Sequence, residues 1–138
     1  MAVPASENER ILTRIATEVW SEGKMDVLKE VMADDVGGQL PGVGDLHTRE
    51  DYERAVEAYR TAFPDFTVDF QELIPADDVV TMRYTVRGTH DGEMMGIAPT
   101  GNKAEMQGST ILRFKDGKVV EEWNYGDMSG LLQQLGAM

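Results

Sequence analysis

Hydrophobic positions in the first half of the chain recur with the 3.6-residue period of an α-helix. Ile11, Ile15 and Val19 follow one another at four-residue spacing and predict an amphipathic helix that ends at Gly23. The segment MDVLKEVMA predicts a short second helix after it. A third helix, closed by Pro64, is predicted by the stripe Tyr52, Ala55, Val56, Tyr59 and Phe63.

From Phe66 onward the hydrophobic positions alternate with polar ones, which is the two-residue period of β-strands. Four such segments follow, and the last two are joined by KDGK, whose Asp-Gly pair is typical of a tight hairpin. The glycine-rich stretch DDVGGQLPGVGDLH, between the second and third helices, predicts a loop or a short edge strand. The order of elements predicts an α+β fold: N-terminal helices packed in a curved antiparallel sheet, forming a cone-shaped barrel with one open end, and a short C-terminal helix.

The composition is that of an ordinary globular protein, and the 138 residues are expected to form a single domain, 1–138. No apolar run approaches the ~20 residues of a membrane span, and without cysteine there is no disulfide framework, so a cytoplasmic location is expected. The net charge of −12 argues against nucleic acid and anionic membranes as partners, because both bind through Lys and Arg. The excess of carboxylates favours solubility, with adaptation to high salt as the alternative.

Strand parity predicts which side chains face the interior of the cone, because alternate residues of a strand point to opposite faces. His90 shares the parity of the hydrophobic residues before it and is expected to point inward near the open end. In the last strand, Asp127 shares the parity of the aromatic residues and is expected at the same end. A bulge at Gly88 would reverse the face of His90. The predicted pocket lining consists of Met82, Tyr84, Met106, Glu121, Trp123 and Tyr125, with Met95 in the roof of the pocket mouth.

Asp127 and His90 are the candidate catalytic residues. The pKa of a carboxylate rises in an apolar pocket, which suits acid/base chemistry, and Asp127 is expected in such a pocket. The His90 imidazole is expected to bind a substrate carbonyl or to steady the carboxylate. Each has a structural alternative, which is the N-cap of the last helix for Asp127 and a hydrogen-bonded role in the fold for His90. Glu122 is expected on the sheet surface.

Other site chemistries find no support in the sequence. His90 and Asp127 supply too few ligands for a metal site, and no His-x-x-x-His pattern supplements them. There is no nucleophile elbow, P-loop or dinucleotide fingerprint. The aromatic residues and methionines indicate instead a pocket for a small hydrophobic ligand.

Four blocks of sequence together are similar to those of a known family. They are FPDF at 63–66, GTHDGEMMGIAPTG at 88–101, FKDGKVVEEW at 114–123 and DMSGLLQQLG at 127–136. Their order and spacing resemble the SnoaL-like polyketide cyclases, which have the cone-shaped fold of the nuclear-transport-factor-like superfamily. The resemblance implies a cofactor-independent enzyme that closes a ring in a hydrophobic, polyketide-like ester by intramolecular aldol condensation. It also implies the acid/base role for Asp127 and matches His90 to the histidine of the family's GTH block.

The resemblance leaves other functions open, because this fold carries several chemistries. One alternative is a non-catalytic protein that binds a small hydrophobic ligand. Another is an isomerase or an epoxide hydrolase that uses the same pocket. The chain also departs from the family at DDVGGQLPG, where many members carry a histidine or an asparagine. Members of the superfamily commonly pair through the sheet, which implies a homodimer.

Overall fold

The helices lie where the hydrophobic periodicity predicts them. The computed structural model describes the backbone of residues 3–138 and the side chains from residue 7 onward. The helices of this part of the chain are α1 (Val3–Arg14), a π-helical segment that continues it (Ile15–Ser21), α2 (Asp26–Val31), α3 (Arg49–Ala62) and α4 (Met128–Gln134). At the start of α3, Thr48 and Asp51 each accept a hydrogen bond from the other's backbone N–H, which is a capping box.

A single sheet forms the other layer of the fold. The strands of the described chain are β1 (Met32–Leu40), β2 (Gly44–Leu46), β3 (Thr67–Ala76), β4 (Val79–Thr89), β5 (Lys103–Lys115) and β6 (Lys118–Gly126). They form one curved, open sheet in the order β2-β1-β6-β5-β4-β3. Parallel pairing joins β1 to β6, and the other neighbouring pairs are antiparallel. The predicted α+β class is confirmed, but the sheet has six strands rather than the four predicted.

The core lies between the helices and one face of the sheet. Tyr52, Val56 and Tyr59 of α3 are at most 4% exposed and belong to the same buried cluster as Met82 of β4 and Leu112 of β5. We call the sheet face that packs on the helices the inner face and the opposite one the outer face.

None of the helices in residues 3–138 is long and apolar enough to cross a membrane.

Strand β1 runs through the glycine-rich stretch that the sequence pattern predicts as a loop or a short edge strand. Gly38 has a φ of +122°, and a Cβ at this position would lie 1.9 Å from the carbonyl oxygen of Glu122. Glycine therefore allows β1 to lie close against β6. The glycines here mark close packing of two strands, which composition alone does not distinguish from a loop.

A β-bulge at Val120 decides which side chains of β6 reach the inner face. Phe114 and Arg113 are adjacent on β5, but their partners on β6 are Val119 and Glu121. Strand β6 therefore contains one extra residue, and the alternation of inward and outward side chains reverses beyond it.

The bulge overturns the predicted face of the last strand. The inward orientation predicted for Glu121, Trp123 and Tyr125 is wrong, because the extra residue shifts all three side chains to the outer face. Trp123 is 38% exposed and Tyr125 is 52% exposed. Glu122 and Asn124 are at most 8% exposed and take the inner face instead.

The long corner between β4 and β5, residues 90–102, closes the C-terminal end of α3. The backbone N–H groups of Asp91 and Gly92 both donate to the carbonyl oxygen of Ala62. A Cβ on Gly92 would lie 2.2 Å from the carbonyl oxygen of Thr61, so the corner needs a glycine where it meets the helix. The corner therefore supplies donors for a helix end whose carbonyls have no partner within the helix.

Candidate active site

A cavity lies between the helices and the inner face of the sheet. Its walls are mainly apolar side chains from α1, the π-helical segment and strands β3, β4 and β5. Pro41, which is half-buried in the turn between β1 and β2, also lines it. Its polar side chains are Tyr52, Tyr59, Tyr84, Thr110, Glu122 and Asn124.

Glu122 is the carboxylate inside this cavity, and it is 2% exposed. Its Oε1 atom accepts a hydrogen bond of 2.8 Å from the Tyr52 hydroxyl. Its Oε2 atom accepts bonds of 3.0 Å from the Thr110 hydroxyl and 2.8 Å from the Asn124 amide. The three donors come from α3, β5 and β6, so the carboxylate joins a helix to two strands.

Burial changes the proton affinity of the groups in the cavity. It raises the pKa of Glu122 above the ordinary glutamate value, and the hydrogen bonds that the carboxylate accepts oppose this rise. Burial also raises the pKa of Tyr52, Tyr59 and Tyr84, so these hydroxyls stay protonated at neutral pH. The cavity therefore combines a carboxylate of increased basicity with neutral hydroxyl donors.

Tyr84 sets the orientation of the Asn124 amide. The Tyr84 hydroxyl donates a 2.5 Å hydrogen bond to Oδ1 of Asn124, so the NH₂ end of the amide faces Glu122. A Cβ on Gly108 would lie 2.5 Å from the Tyr84 hydroxyl oxygen. Gly108 therefore leaves the space in which this hydroxyl reaches Asn124.

Trp20 extends the hydrogen-bond network to the π-helical segment. Its indole Nε1 donates a 2.9 Å hydrogen bond to the Tyr52 hydroxyl oxygen. The centre of the indole ring lies 5.9 Å from that of Tyr52, 5.8 Å from that of Tyr59 and 5.6 Å from that of Phe66. Trp20 is thus both part of the cavity wall and a partner of the residue that binds Glu122.

Part of the predicted pocket lining is found in this cavity, namely Met82, Tyr84 and Met106. On the outer face, the Trp123 indole donates a 2.9 Å hydrogen bond to Glu121, away from the cavity. Tyr125 lies on the same face. Met95 is 46% exposed and lies beside the turn between β1 and β2, where a Cβ on Gly42 would be 3.3 Å from its sulfur. These four residues do not line the cavity.

Asp127 follows β6 and caps helix α4. Its Oδ1 atom accepts a 2.9 Å hydrogen bond from the backbone N–H of Gly130, and the residue is exposed. The inward orientation expected for Asp127 is wrong, because the bulge at Val120 reverses the parity on which it rests. The geometry matches its structural alternative, the N-cap. The acid/base role that the resemblance implies for Asp127 stays a prediction.

His90 is fully buried, and the pairing of β4 with β5 stays regular through Gly88. Its Nδ1 atom accepts a 3.2 Å hydrogen bond from the backbone N–H of Thr100, which places the ring proton of a neutral imidazole on Nε2. The ring packs 5.5 Å from that of Phe63. His90 therefore ties the corner together and does not line the cavity, and its catalytic role stays a prediction.

The alternation of residues in the last strand predicts Glu122 on the sheet surface, and no sequence pattern marks Trp20, Tyr52, Thr110 or Asn124 as site residues. The segment EEWN still contains a usable signal, because adjacent glutamates put one carboxylate inward in either register. The position of the bulge decides which glutamate that is.

Within the described residues, no group of three or more His, Cys, Asp or Glu side chains is placed to hold a metal.

Comparison with known proteins points to one family. The family model described as SnoaL-like polyketide cyclase matches residues 10–135. A curated relative is aklanonic acid methyl ester cyclase AcmA from Streptomyces galilaeus, which is 39% identical over 59 residues. This alignment covers 43% of the present chain and 41% of AcmA, so it spans less than half of that relative's length.

Solved structures share the fold over nearly the whole chain. IdmH from Streptomyces antibioticus, described as a proposed polyketide cyclase, is 32% identical with a TM-score of 0.81, and the match covers 93% of this chain and 97% of IdmH. AclR from Streptomyces galilaeus, described as a proposed hydroxylase, is 28% identical with a TM-score of 0.85, and the match covers 97% of this chain and 87% of AclR.

Proposed function

Because the chain belongs to the SnoaL-like polyketide cyclase family, we propose that it closes a ring in a small, hydrophobic, polyketide-like ester by an intramolecular aldol reaction. We assign the acid/base role to Glu122. The observation that carries this proposal is a carboxylate 2% exposed in a mainly apolar cavity, with hydroxyl and amide donors around it.

The proposed reaction begins with the loss of a proton from a carbon that lies between two carbonyl groups. Glu122 takes this proton, and the electrons of the C–H bond move to a carbonyl oxygen to give an enolate. The enolate carbon then forms a bond to a ketone carbon of the same molecule. The former ketone oxygen takes the proton back from Glu122. The product keeps every atom of the substrate, so the steps require no co-reactant.

Oε1 of Glu122 is the oxygen with room for a substrate proton. Among the described residues, Oε1 accepts one hydrogen bond, from Tyr52, whereas Oε2 accepts two, from Thr110 and Asn124. Each carboxylate oxygen has about two lone-pair sites, so Oε1 retains one of them. We therefore assign anchoring to Oε2 and proton transfer to Oε1.

The apolar walls support this chemistry in two ways. They raise the proton affinity of Glu122, which makes the carboxylate a stronger base for a weakly acidic C–H group. They also hold a flexible hydrophobic chain in a folded conformation, which brings the enolate carbon close to the ketone that it attacks. Met82 and Met106 suit such a wall, because thioether side chains adapt to irregular shapes.

One experiment separates Glu122 from Asp127, the residue that the resemblance implies. Turnover of an anthraquinone-type β-keto ester is measured for the wild type, Glu122→Gln and Asp127→Asn, with binding followed by tryptophan fluorescence. We expect Glu122→Gln to lower kcat by at least about 100-fold and to keep binding, because it removes the base and keeps the shape. Asp127→Asn should keep most of the turnover, because it changes a helix cap.

Two results of this experiment would contradict the assignment of the acid/base role to Glu122. Loss of turnover in Asp127→Asn, with Glu122→Gln active, would transfer the acid/base role to Asp127. Normal turnover in both variants would rule out the proposed proton transfer.

A non-catalytic ligand-binding function is the second candidate. It is favoured by the three hydrogen bonds that Glu122 accepts, which satisfy the carboxylate without a substrate. This function predicts binding without turnover in the wild type. Epoxide opening has less support, because it usually needs a second carboxylate to hold a water, and Glu122 is the only buried acidic side chain among residues 7–138.

We further propose that two copies pair through their outer faces. Ile111 and Trp123 are direct partners on β5 and β6, and their side chains are 40% and 38% exposed. Ile74, 54% exposed, extends this row through Thr81, which pairs with both Ile74 and Ile111. A second copy would cover this apolar row.

The cytoplasmic location remains a prediction from the sequence.

A further inference from the structure

We infer that Trp20 is a positioning residue for Glu122. Its indole N–H keeps the hydroxyl proton of Tyr52 directed toward Glu122, and this hydrogen bond sets how readily Glu122 accepts a proton from the substrate. The inference rests on the proposed role of Glu122 as the proton acceptor. Its basis is a chain of two hydrogen bonds, from Trp20 to Tyr52 and from Tyr52 to Glu122, that crosses from the helices to the sheet.

The chemistry of the three groups fixes the direction of these two hydrogen bonds. An indole nitrogen only donates, so the Tyr52 oxygen must accept the 2.9 Å bond from Trp20. Tyr52 has a single hydroxyl proton, and its second contact is the 2.8 Å bond to Oε1 of Glu122. The proton of Tyr52 therefore lies toward Glu122, where it stabilises the charged form of the carboxylate.

The backbone around Trp20 is built to hold the indole in place. Trp20 belongs to the π-helical segment Ile15–Ser21, and π-helical turns are rare and occur frequently at functional sites. Arg60 of α3 donates hydrogen bonds of 2.9 Å to the carbonyl oxygen of Trp20 and 2.8 Å to that of Ser21. Because α3 also carries Tyr52, Arg60 holds the donor and the acceptor of the indole bond together.

The proton affinity of Glu122 results from opposing influences. Burial favours its neutral form, and the hydrogen bonds from Asn124, Tyr52 and Thr110 favour its charged form. The titratable groups that act on it are Tyr52 of α3 and Tyr84 of β4, and burial keeps both hydroxyls neutral. Among the described residues, no lysine, arginine or histidine pairs with Glu122. The hydrogen-bond donors are therefore the groups that tune it.

Removal of the indole N–H is expected to make Glu122 a stronger base. A hydroxyl whose oxygen accepts a hydrogen bond donates a stronger one itself. Without Trp20 as a donor, Tyr52 donates more weakly, and its oxygen becomes free to accept the proton of neutral Glu122. We expect Trp20→Phe to raise the pKa of Glu122 by about half a pH unit and Tyr52→Phe to raise it by about one unit.

The test is an NMR titration of the Glu122 side-chain carboxyl carbon, which needs no substrate. The resonance is assigned by its absence from Glu122→Gln. The wild type, Trp20→Phe, Tyr52→Phe and the double variant are compared. If Trp20 acts through Tyr52, Trp20→Phe raises the pKa in the wild-type background and has no further effect when Tyr52 is already Phe. An unchanged pKa in Trp20→Phe, or an equal shift in both backgrounds, would overturn the inference.

Trp123→Phe is the matched control, because it removes an indole N–H that donates to Glu121 on the outer face. It should leave the Glu122 titration unchanged, and a shift as large as that of Trp20→Phe would count against the inference. If Trp20→Phe does not fold, replacement of tryptophan by 3-benzothienyl-alanine removes the N–H and keeps the ring shape.

Turnover distinguishes the failure of this inference from the failure of the proposed function. If Glu122 is the base, the acid limb of the pH profile of kcat/KM moves with the NMR pKa in each variant. A titration that responds as expected, together with normal turnover in Glu122→Gln, would refute the proposed function and keep the inference. An unresponsive titration, together with turnover lost in Glu122→Gln, would refute only the inference.

Discussion

The Tyr52 hydroxyl of α3 donates a 2.8 Å hydrogen bond to Oε1 of Glu122 on β6, across 70 positions of the chain. Both side chains are at most 2% exposed. A buried carboxylate without partners would strongly disfavour the folded state, so this contact is part of what makes the apolar cavity compatible with a glutamate. Folding thus assembles the donor and the carboxylate from distant parts of the chain.

The stability of the protein should depend on pH through Glu122. Burial raises the folded-state pKa above the ordinary value of 4.5, so the folded state holds this proton over a pH range in which the unfolded state has lost it. The contribution of Glu122 to the free energy of unfolding therefore falls as the pH rises from about 4.5 through the folded-state pKa. Glu122→Gln removes this dependence.

Urea unfolding of the wild type and Glu122→Gln over a series of pH values measures this effect. The difference in free energy of unfolding, wild type minus variant, should decrease with rising pH. Glu121→Gln controls for the loss of a carboxylate at the neighbouring, outward-facing position. A difference that stays constant or increases with pH would contradict the assignment of a raised pKa to Glu122.

Replacement of Gly38 should be far more costly than replacement of its neighbour Gly37. At Gly38 a Cβ would lie 1.9 Å from the Glu122 carbonyl oxygen and φ is +122°, whereas a Cβ on Gly37 meets nothing within 4 Å. We expect Gly38→Ala to lower the free energy of unfolding by about 3 kcal/mol, and Gly37→Ala to change it by less than about 0.5 kcal/mol. Denaturant unfolding measures both, and equal effects would show that β1 does not lie against β6 as described.

The proposed dimer predicts a specific effect of charge on the outer face. Ile111→Glu should convert a dimer to a monomer, because it buries an unpaired carboxylate in the row that a second copy covers. Sedimentation velocity at micromolar concentration measures the state. Val43→Glu is the matched control, since Val43 is 44% exposed but lies in the turn between β1 and β2. If the wild-type protein sediments as a monomer, the proposed pairing through the outer faces is wrong.

Elements whose signal is local can be predicted from the amino-acid sequence. The stripe of Ile11, Ile15 and Val19 is buried as predicted, because the faces of a helix follow from residue spacing alone. The same holds for Met82 and Tyr84 on the inner face of β4. The α+β class and the family were likewise readable from the order of periods and blocks along the chain.

The identity of the site residues depends instead on how distant segments pair and pack. The bulge at Val120 depends on how β6 pairs with β5, and that register gives Glu122 the inner face and Glu121 the outer one. Likewise, β1 becomes a strand because Gly38 meets β6, far along the chain. Trp20 reaches Tyr52 only because the π-helical segment packs on α3. Each of these outcomes depends on contacts between distant segments, and periodicity along one segment carries no information about them.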